Sequence, residues 1–267
     1  MQYPNLNTRP AIAPPSSRAS IALPAPTWRT NSSWGARFYW QHLWVPLGMF
    51  ALASAVLLGL RMDHVLADWI YAWEGHAWSL RSGRITEDLL HIAGRKAAQI
   101  AWAGVLLMFL LSLAHGQFAR WRRPLAYLLL SVLLATAVVG VMKRWTHMDC
   151  PWDLLRYGGE KTYYGLFERL PVGAVAGRCF PGGHASAGFA WVSLYFFLMA
   201  TLPRWRWWGL GLGLGVGLVF GIAQQLRGAH FLSHDVWTLM VCWLTAVILH
   251  HWMLGTRCDM RLEAGAA

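Results

Sequence analysis

The residues that could do chemistry fall in three short segments. The first holds Lys143, Arg144, His147, Asp149, Cys150, Pro151 and Asp153, and the second Arg178, Cys179, Pro181, Gly182, Gly183, His184 and Ser186. The third holds Gln224, Arg227, His230, Ser233, His234 and Asp235. Cations, histidines, glycine backbone at a helix start and an acid beside a histidine are the parts needed to bind a phosphate and transfer it. His147, Asp149, Asp153, His230, His234 and Asp235 also supply the ligand types of a two-metal hydrolase. No pair of them has the spacing of a familiar zinc signature, so no metal and no other cofactor is assigned.

The elements that must position these residues are membrane helices. Hydrophobic residues make up 56% of the 267, aromatics 14% with 18 tryptophans, and charged residues only 13%. That is too apolar for an ordinary soluble domain and too aromatic for a disordered chain. Six runs free of Asp, Glu, Lys and Arg are about the length that crosses a bilayer: Leu43–Leu60, Ala97–Ala114, Pro124–Met142, Ala185–Leu202, Trp207–Ala223 and Val236–Leu254. The fifth alternates glycine like a strand. Because an open strand cannot lie in lipid, and Gly209, Gly213, Gly217 and Gly221 also fall four apart, it is read as a helix with one closely packed face.

The fold class predicted is an all-α integral membrane protein with six transmembrane helices. The loop His115–Arg123 carries Arg120, Arg122 and Arg123, the loop Pro203–Arg206 carries Arg204 and Arg206, and neither has an acid. Both loops are therefore expected in the cytoplasm, with both termini. Segments of about 61–96, 143–184 and 224–235 then share the opposite face, and the three chemical segments lie at one membrane depth. Residues 1–35, rich in Pro, Ser, Thr and Asn and lacking signal-peptide architecture, are expected as a disordered cytoplasmic tail. Residues 36–255 form the six-span domain and 256–267 a C-terminal cytoplasmic tail. Val65, Leu66, Trp69, Ile70 and Trp73 fall at helical spacing, which suggests a helix lying in the outer interface or capping the bundle.

The three segments resemble, in order, the signature motifs of the type 2 phosphatidic acid phosphatase superfamily. The resemblance covers about residues 97–254. In the first motif Lys143 and Pro151 match and Cys150 stands where an arginine is usual; in the second, Pro181, Gly183 and His184 match and Gly182 replaces a serine. In the third, His230 matches, Gln224 takes the arginine position, His234 falls at the acid position and Asp235 lies one residue later. The resemblance implies a six-helix core and metal-independent removal of phosphate from a membrane lipid at the outer face of a bacterial inner membrane. His230 would be the nucleophile, forming a phosphohistidine, with Asp235 orienting it and His184 as acid and then base. Lys143 and the amides around Gly183 would hold the phosphate. Arg227, one helical turn from Gln224, is a substitute for the missing third-motif arginine, and Arg178 and Arg144 are further cations nearby.

Cys150 and Cys179 flank the same outer loop and are expected to form a disulfide, worth about 3–4 kcal/mol by loop closure. The expected substrate is phosphatidic acid, phosphatidylglycerol phosphate, undecaprenyl diphosphate or a lipid A phosphate. A lipid-to-lipid phosphotransferase is the alternative within enzymes, and a non-catalytic lipid transporter or binding protein the alternative outside them. The net charge, 23 basic minus 12 acidic residues or +11, reads as orientation plus phosphate binding and not as a nucleic-acid site.

Overall fold

The computed structural model describes residues 35–255; the expected tails at 1–35 and 256–267 lie outside them but for Gly35. The described chain is helical, with one isolated bridge between Leu154 and Lys161 and no strand among the described residues. Five helices are long and apolar enough to cross a membrane: α1 (Ala36–Gly59), α3 (Gly94–Ala114), α4 (Gly116–Trp145), α7 (Pro203–Leu226) and α8 (Leu232–Met253). Between α1 and α3 lies the shorter α2 (Met62–Trp73). The run expected as the fourth span consists of α5 (Gly183–Phe189), a 3-10 turn over Ala190–Val192 and α6 (Ser193–Thr201).

The close packing that interrupts this run comes from α7. A Cβ on Gly213 would collide with the Val192 backbone, one on Gly217 with the Phe189 ring, and one on Gly209 would lie 2.9 Å from Leu194 carbon. Gly211 and Gly215 have open space beside them. The four-residue spacing therefore marks the packed face of a helix, because only hydrogen side chains let α5 and α6 come this near. The same stripe ends at Gly221, where a Cβ would lie 2.5 Å from Asp235 Oδ2 on α8.

The apolar core is built where α4, the 183–201 stretch and α8 meet. It contains Tyr127, Leu128, Ala135, Phe189, Val192, Phe196, Cys242 and Ala246, all buried. Tyr127 also satisfies its hydroxyl there, donating to Ala246 O at 3.1 Å. A buried hydroxyl without such an acceptor would cost about 1–3 kcal/mol. At the other end of this core lie the chemical segments.

The α2 helix follows the predicted pattern in part. Asp63, Ala67 and Ile70 form its buried face, while Val65, Trp69 and Trp73 are exposed. Its anchor to the rest is a bidentate pair between Arg156 and Asp68, beside which Tyr71 meets Tyr157 edge-on. Asp63 accepts a hydrogen bond from Ser233 N at 2.9 Å and so caps the first turn of α8 from another element.

Candidate active site

The second chemical segment is fixed from two sides. Thr238 Oγ1 on α8 donates to Gly182 O at 3.1 Å, and Gly182 N donates to His234 O at 3.2 Å. Thr146, just past α4, donates its hydroxyl to Phe180 O. A Cβ on Gly182 would come 2.8 Å from Asp235 Oδ1, so a side chain at this position would have to displace that carboxylate. On the other flank Cys179 is joined to Cys150, with Cα atoms 5.3 Å apart. Gly177 N and Cys179 N donate to His147 O and Met148 O, both at 3.0 Å, so the disulfide sits on a short paired stretch.

Into this frame project four of the predicted residues. His230 Nδ1 lies 3.1 Å from His234 Nδ1. Lys143 lays its aliphatic stem across Gly183, where a Cβ would be 3.1 Å from Cε, and donates from Nζ to Arg178 O at 3.3 Å. His184 follows directly on Gly183 and meets the Phe220 ring, centroids 5.7 Å apart. Burial holds the His230 pKa well below the ordinary histidine value, and the charges of His234, Lys143 and His184 act in the same direction. A buried imidazole kept neutral beside a cation has the lone pair a nucleophile needs.

Four predicted residues are placed differently. Asp235 does not reach His230: it is turned one helical position away, towards α7, where its Oδ2 accepts from Gln225 Nε2 at 2.7 Å. His234 and Asp235 are successive residues of α8 and point about 100° apart, so the histidine and not the acid meets His230, which lies in the loop before Leu232. Arg227 is buried but pairs with Glu87, and it also donates to Arg81 O at 2.8 Å and Gln224 Oε1 at 3.3 Å. Arg178 contributes its carbonyl, its side chain being exposed, and Arg144 is exposed on α4. Neither guanidinium makes a hydrogen bond or ion pair among the described residues.

The ligand types for a metal are dispersed. His147 Nε2 meets Gly165 O at 3.1 Å, and Asp149 pairs with Lys161 at 2.6 Å. Among the described residues, Cys150, Asp153 and Cys179 bring their ligand atoms within 4.8 Å of one another, but the two cysteines are bonded to each other.

Sequence reasoning missed three contacts that shape the site. Gln225 holds Asp235, Asp63 caps α8, and Glu87 reaches Arg227 from a π-helical stretch, Arg84–Ala93, that leads into α3. Trp78 packs against Gly228, where the backbone takes the positive φ of +68° that glycine tolerates, and Arg81 stacks on Trp152 at 4.3 Å. Together these contacts lay the segment 74–93 over the loop that carries His230.

Residues 124–257, which run from α4 through α8 and contain all three chemical segments, match the family model of the PAP2 superfamily. The chain belongs to the PAP2 superfamily. No curated protein and no solved structure matches it. PAP2 membership supports a hydrolase of the phosphatase kind, acting on lipid or related phosphoesters, and the five apolar helices make this PAP2 chain a multi-pass membrane protein. The matched range includes Lys143, Gly183, His184, His230 and His234.

Proposed function

We propose that this protein removes a phosphate from a phosphorylated membrane lipid through a phosphohistidine on His230. The observation that carries the reading is the His230–His234 contact at 3.1 Å, with Lys143 and His184 close enough for their charges to act on His230. His230 donates its Nδ1 proton to His234 Nδ1, which leaves the Nε2 lone pair for phosphorus. Attack forms the Nε2–P bond and breaks the P–O bond to the lipid, and His184 gives a proton to the departing oxygen. In the second half His184 takes a proton from water, whose oxygen attacks phosphorus and releases inorganic phosphate from His230. Lys143 and the Gly183 amide hold the equatorial oxygens throughout. Asp235 and Arg227 are positioning residues in this scheme, the first fastening α8 to α7 and the second fastening the segment 74–93 over the loop.

The 183–201 stretch supplies the sixth crossing, its outer end set by the Gly182 turn. With the arginine-bearing turns 116–121 and 203–205 in the cytoplasm, both termini lie there too, and the site and the α2 helix face the periplasm of a bacterial inner membrane. A phosphorylated lipid then presents its headgroup at the depth of His230. The substrate classes that fit are phosphatidic acid, phosphatidylglycerol phosphate, undecaprenyl diphosphate and lipid A phosphates.

The test is phosphate release from a panel of these lipids by the purified protein and by His230→Ala. Release by the wild type, its loss by at least about 10³-fold in the variant with folding intact, and persistence after chelation are expected. Near-normal turnover by His230→Ala would overturn the assignment, and transfer dependent on a lipid acceptor would make the protein a phosphotransferase.

A further inference from the structure

A cavity separate from the catalytic group opens at the Gly59 end of α1. It has a volume of about 360 Å³ and lies between the last turns of α1, the loop around Phe167 and Trp237 of α8. Ala55, Leu58 and Leu166 make its apolar wall, and Phe167 at its rim is 83% exposed. The volume falls in the range of small-ligand pockets.

The polar groups around this cavity are donors. Arg61 lines it and is held there by the backbone: its φ of +55° is a left-handed conformation that a non-glycine residue adopts only at a cost of about 1–3 kcal/mol. Ser54 and Trp237 also line it, and Ser54 Oγ and Trp237 Nε1 are buried atoms with no hydrogen-bond acceptor among the described residues. Buried donors are rarely left so, and each one calls for an acceptor. Tyr163 adds a hydroxyl, while the one acid, Glu168, turns its carboxylate to Gly165 N at 3.1 Å. A cation and several donors above an apolar wall, at the end of a membrane-crossing helix, ask for a ligand with an anionic head, further acceptor oxygens and a hydrocarbon tail.

The catalytic group lies one aromatic layer away. Trp237 meets Phe180 at 5.3 Å, which in turn meets His234 at 5.1 Å. Tyr163 meets Phe231, the neighbour of His230, at 6.2 Å. Neither His230 nor Lys143 lines the cavity.

We propose that this cavity is a seat for an anionic glycerophospholipid that the protein binds but does not hydrolyse, with the phosphate on Arg61, ester oxygens towards Trp237 and Ser54, and an acyl chain along Leu58 and Phe167. The proposal concerns binding alone and stands apart from the phosphatase reading.

Native mass spectrometry of the full chain, extracted from nanodiscs of phosphatidylcholine with added phosphatidylglycerol, tests it. The wild type and His230→Ala are both expected to retain one phosphatidylglycerol in preference to phosphatidylcholine. Arg61→Gly, whose glycine accepts the left-handed backbone without strain, is expected to lose that retention by at least tenfold while keeping the wild-type melting temperature. Trp237→Phe keeps the ring, removes the donor and should lower retention severalfold. Equal retention by the wild type and Arg61→Gly overturns the proposal. So does loss of the lipid in His230→Ala, or its displacement by inorganic phosphate, since either places the retained lipid in the catalytic site.

Discussion

His230 and His234 meet Nδ1 to Nδ1 at 3.1 Å, so a histidine, and not a carboxylate, is the side-chain partner of the candidate nucleophile. One of the two nitrogens must carry the proton and the other the lone pair. A neutral acceptor fixes the tautomer and ring angle of His230 as an acid would. It contributes no negative charge to the imidazolium that forms with the phosphohistidine. Lys143 adds a positive charge to the same space. The site therefore favours a neutral resting His230 and relies on geometry, more than on a counter-charge, to hold it.

Replacing His234 separates these two contributions. His234→Ala removes the acceptor and should lower kcat on the order of 10²-fold with folding intact. His234→Asp restores an acceptor beside His230 and adds a charge facing Lys143, so it should recover most of the alanine loss at pH 8. Steady-state phosphate release compares the three. Wild-type rates in His234→Ala would remove His234 from any positioning role.

The pH dependence carries a definite sign. His230 must be neutral to attack, and its pKa lies well below the ordinary 6.5 because of burial, with His234, Lys143 and His184 adding to the depression. Activity should thus persist as pH falls through 6.5, and the acid limb of kcat/KM should lie below it. A carboxylate at 234 favours the protonated ring, so His234→Asp should move that limb upward. A limb at 6.5 or above in the wild type would contradict a neutral, buried nucleophile.

Asp235 offers a contrast with His234. Its Oδ2 accepts from Gln225, and the carboxylate fills the space beside Gly182 and Gly221. Asp235→Asn keeps that volume and should retain kcat within a few fold. Asp235→Ala leaves the Gln225 amide without its acceptor and should cost about 1–3 kcal/mol of stability. Thermal unfolding in detergent reads the second effect. A loss of kcat in Asp235→Asn as large as that in His230→Ala would instead return Asp235 to the catalytic group.

The parts of this molecule that were legible in the sequence rest on short-range periodicity. Bilayer-length apolar runs gave the long helices, and the glycines spaced by four on α7 marked its packed face because helix period alone aligns them. Lys143, Gly183, His184 and His230 came instead from the resemblance to the family's motifs. The fourth run was less legible, since its 3-10 turn over Ala190–Val192 lies where the α7 backbone comes too near for side chains. Contacts between distant segments left no trace in spacing. Asp63 meets Ser233 across 170 residues, and Glu87 meets Arg227 across 140. The choice between His234 and Asp235 turned on a single residue of helical phase, which depends on where α8 begins at Leu232.

Asp63 gives the stability of this outer face its own pH dependence. Its carboxyl is buried beneath α8, and burial raises its pKa from 3.8 to about 6, against the hydrogen bond from Ser233 N that lowers it. Between those two values the folded protein keeps a proton that the unfolded chain gives up. Stability therefore falls as pH rises from about 4 to about 6, and the penalty is complete above that window. Asp63→Asn keeps a carbonyl oxygen for Ser233 N and cannot ionise, so it should flatten this slope and melt at a higher temperature than the wild type at pH 7. Melting curves of both proteins at pH 4.5 and pH 7 measure the difference. The same change in melting temperature between pH 4.5 and 7 in the wild type as in Asp63→Asn would mean that Asp63 is solvated and ionises at its ordinary pH.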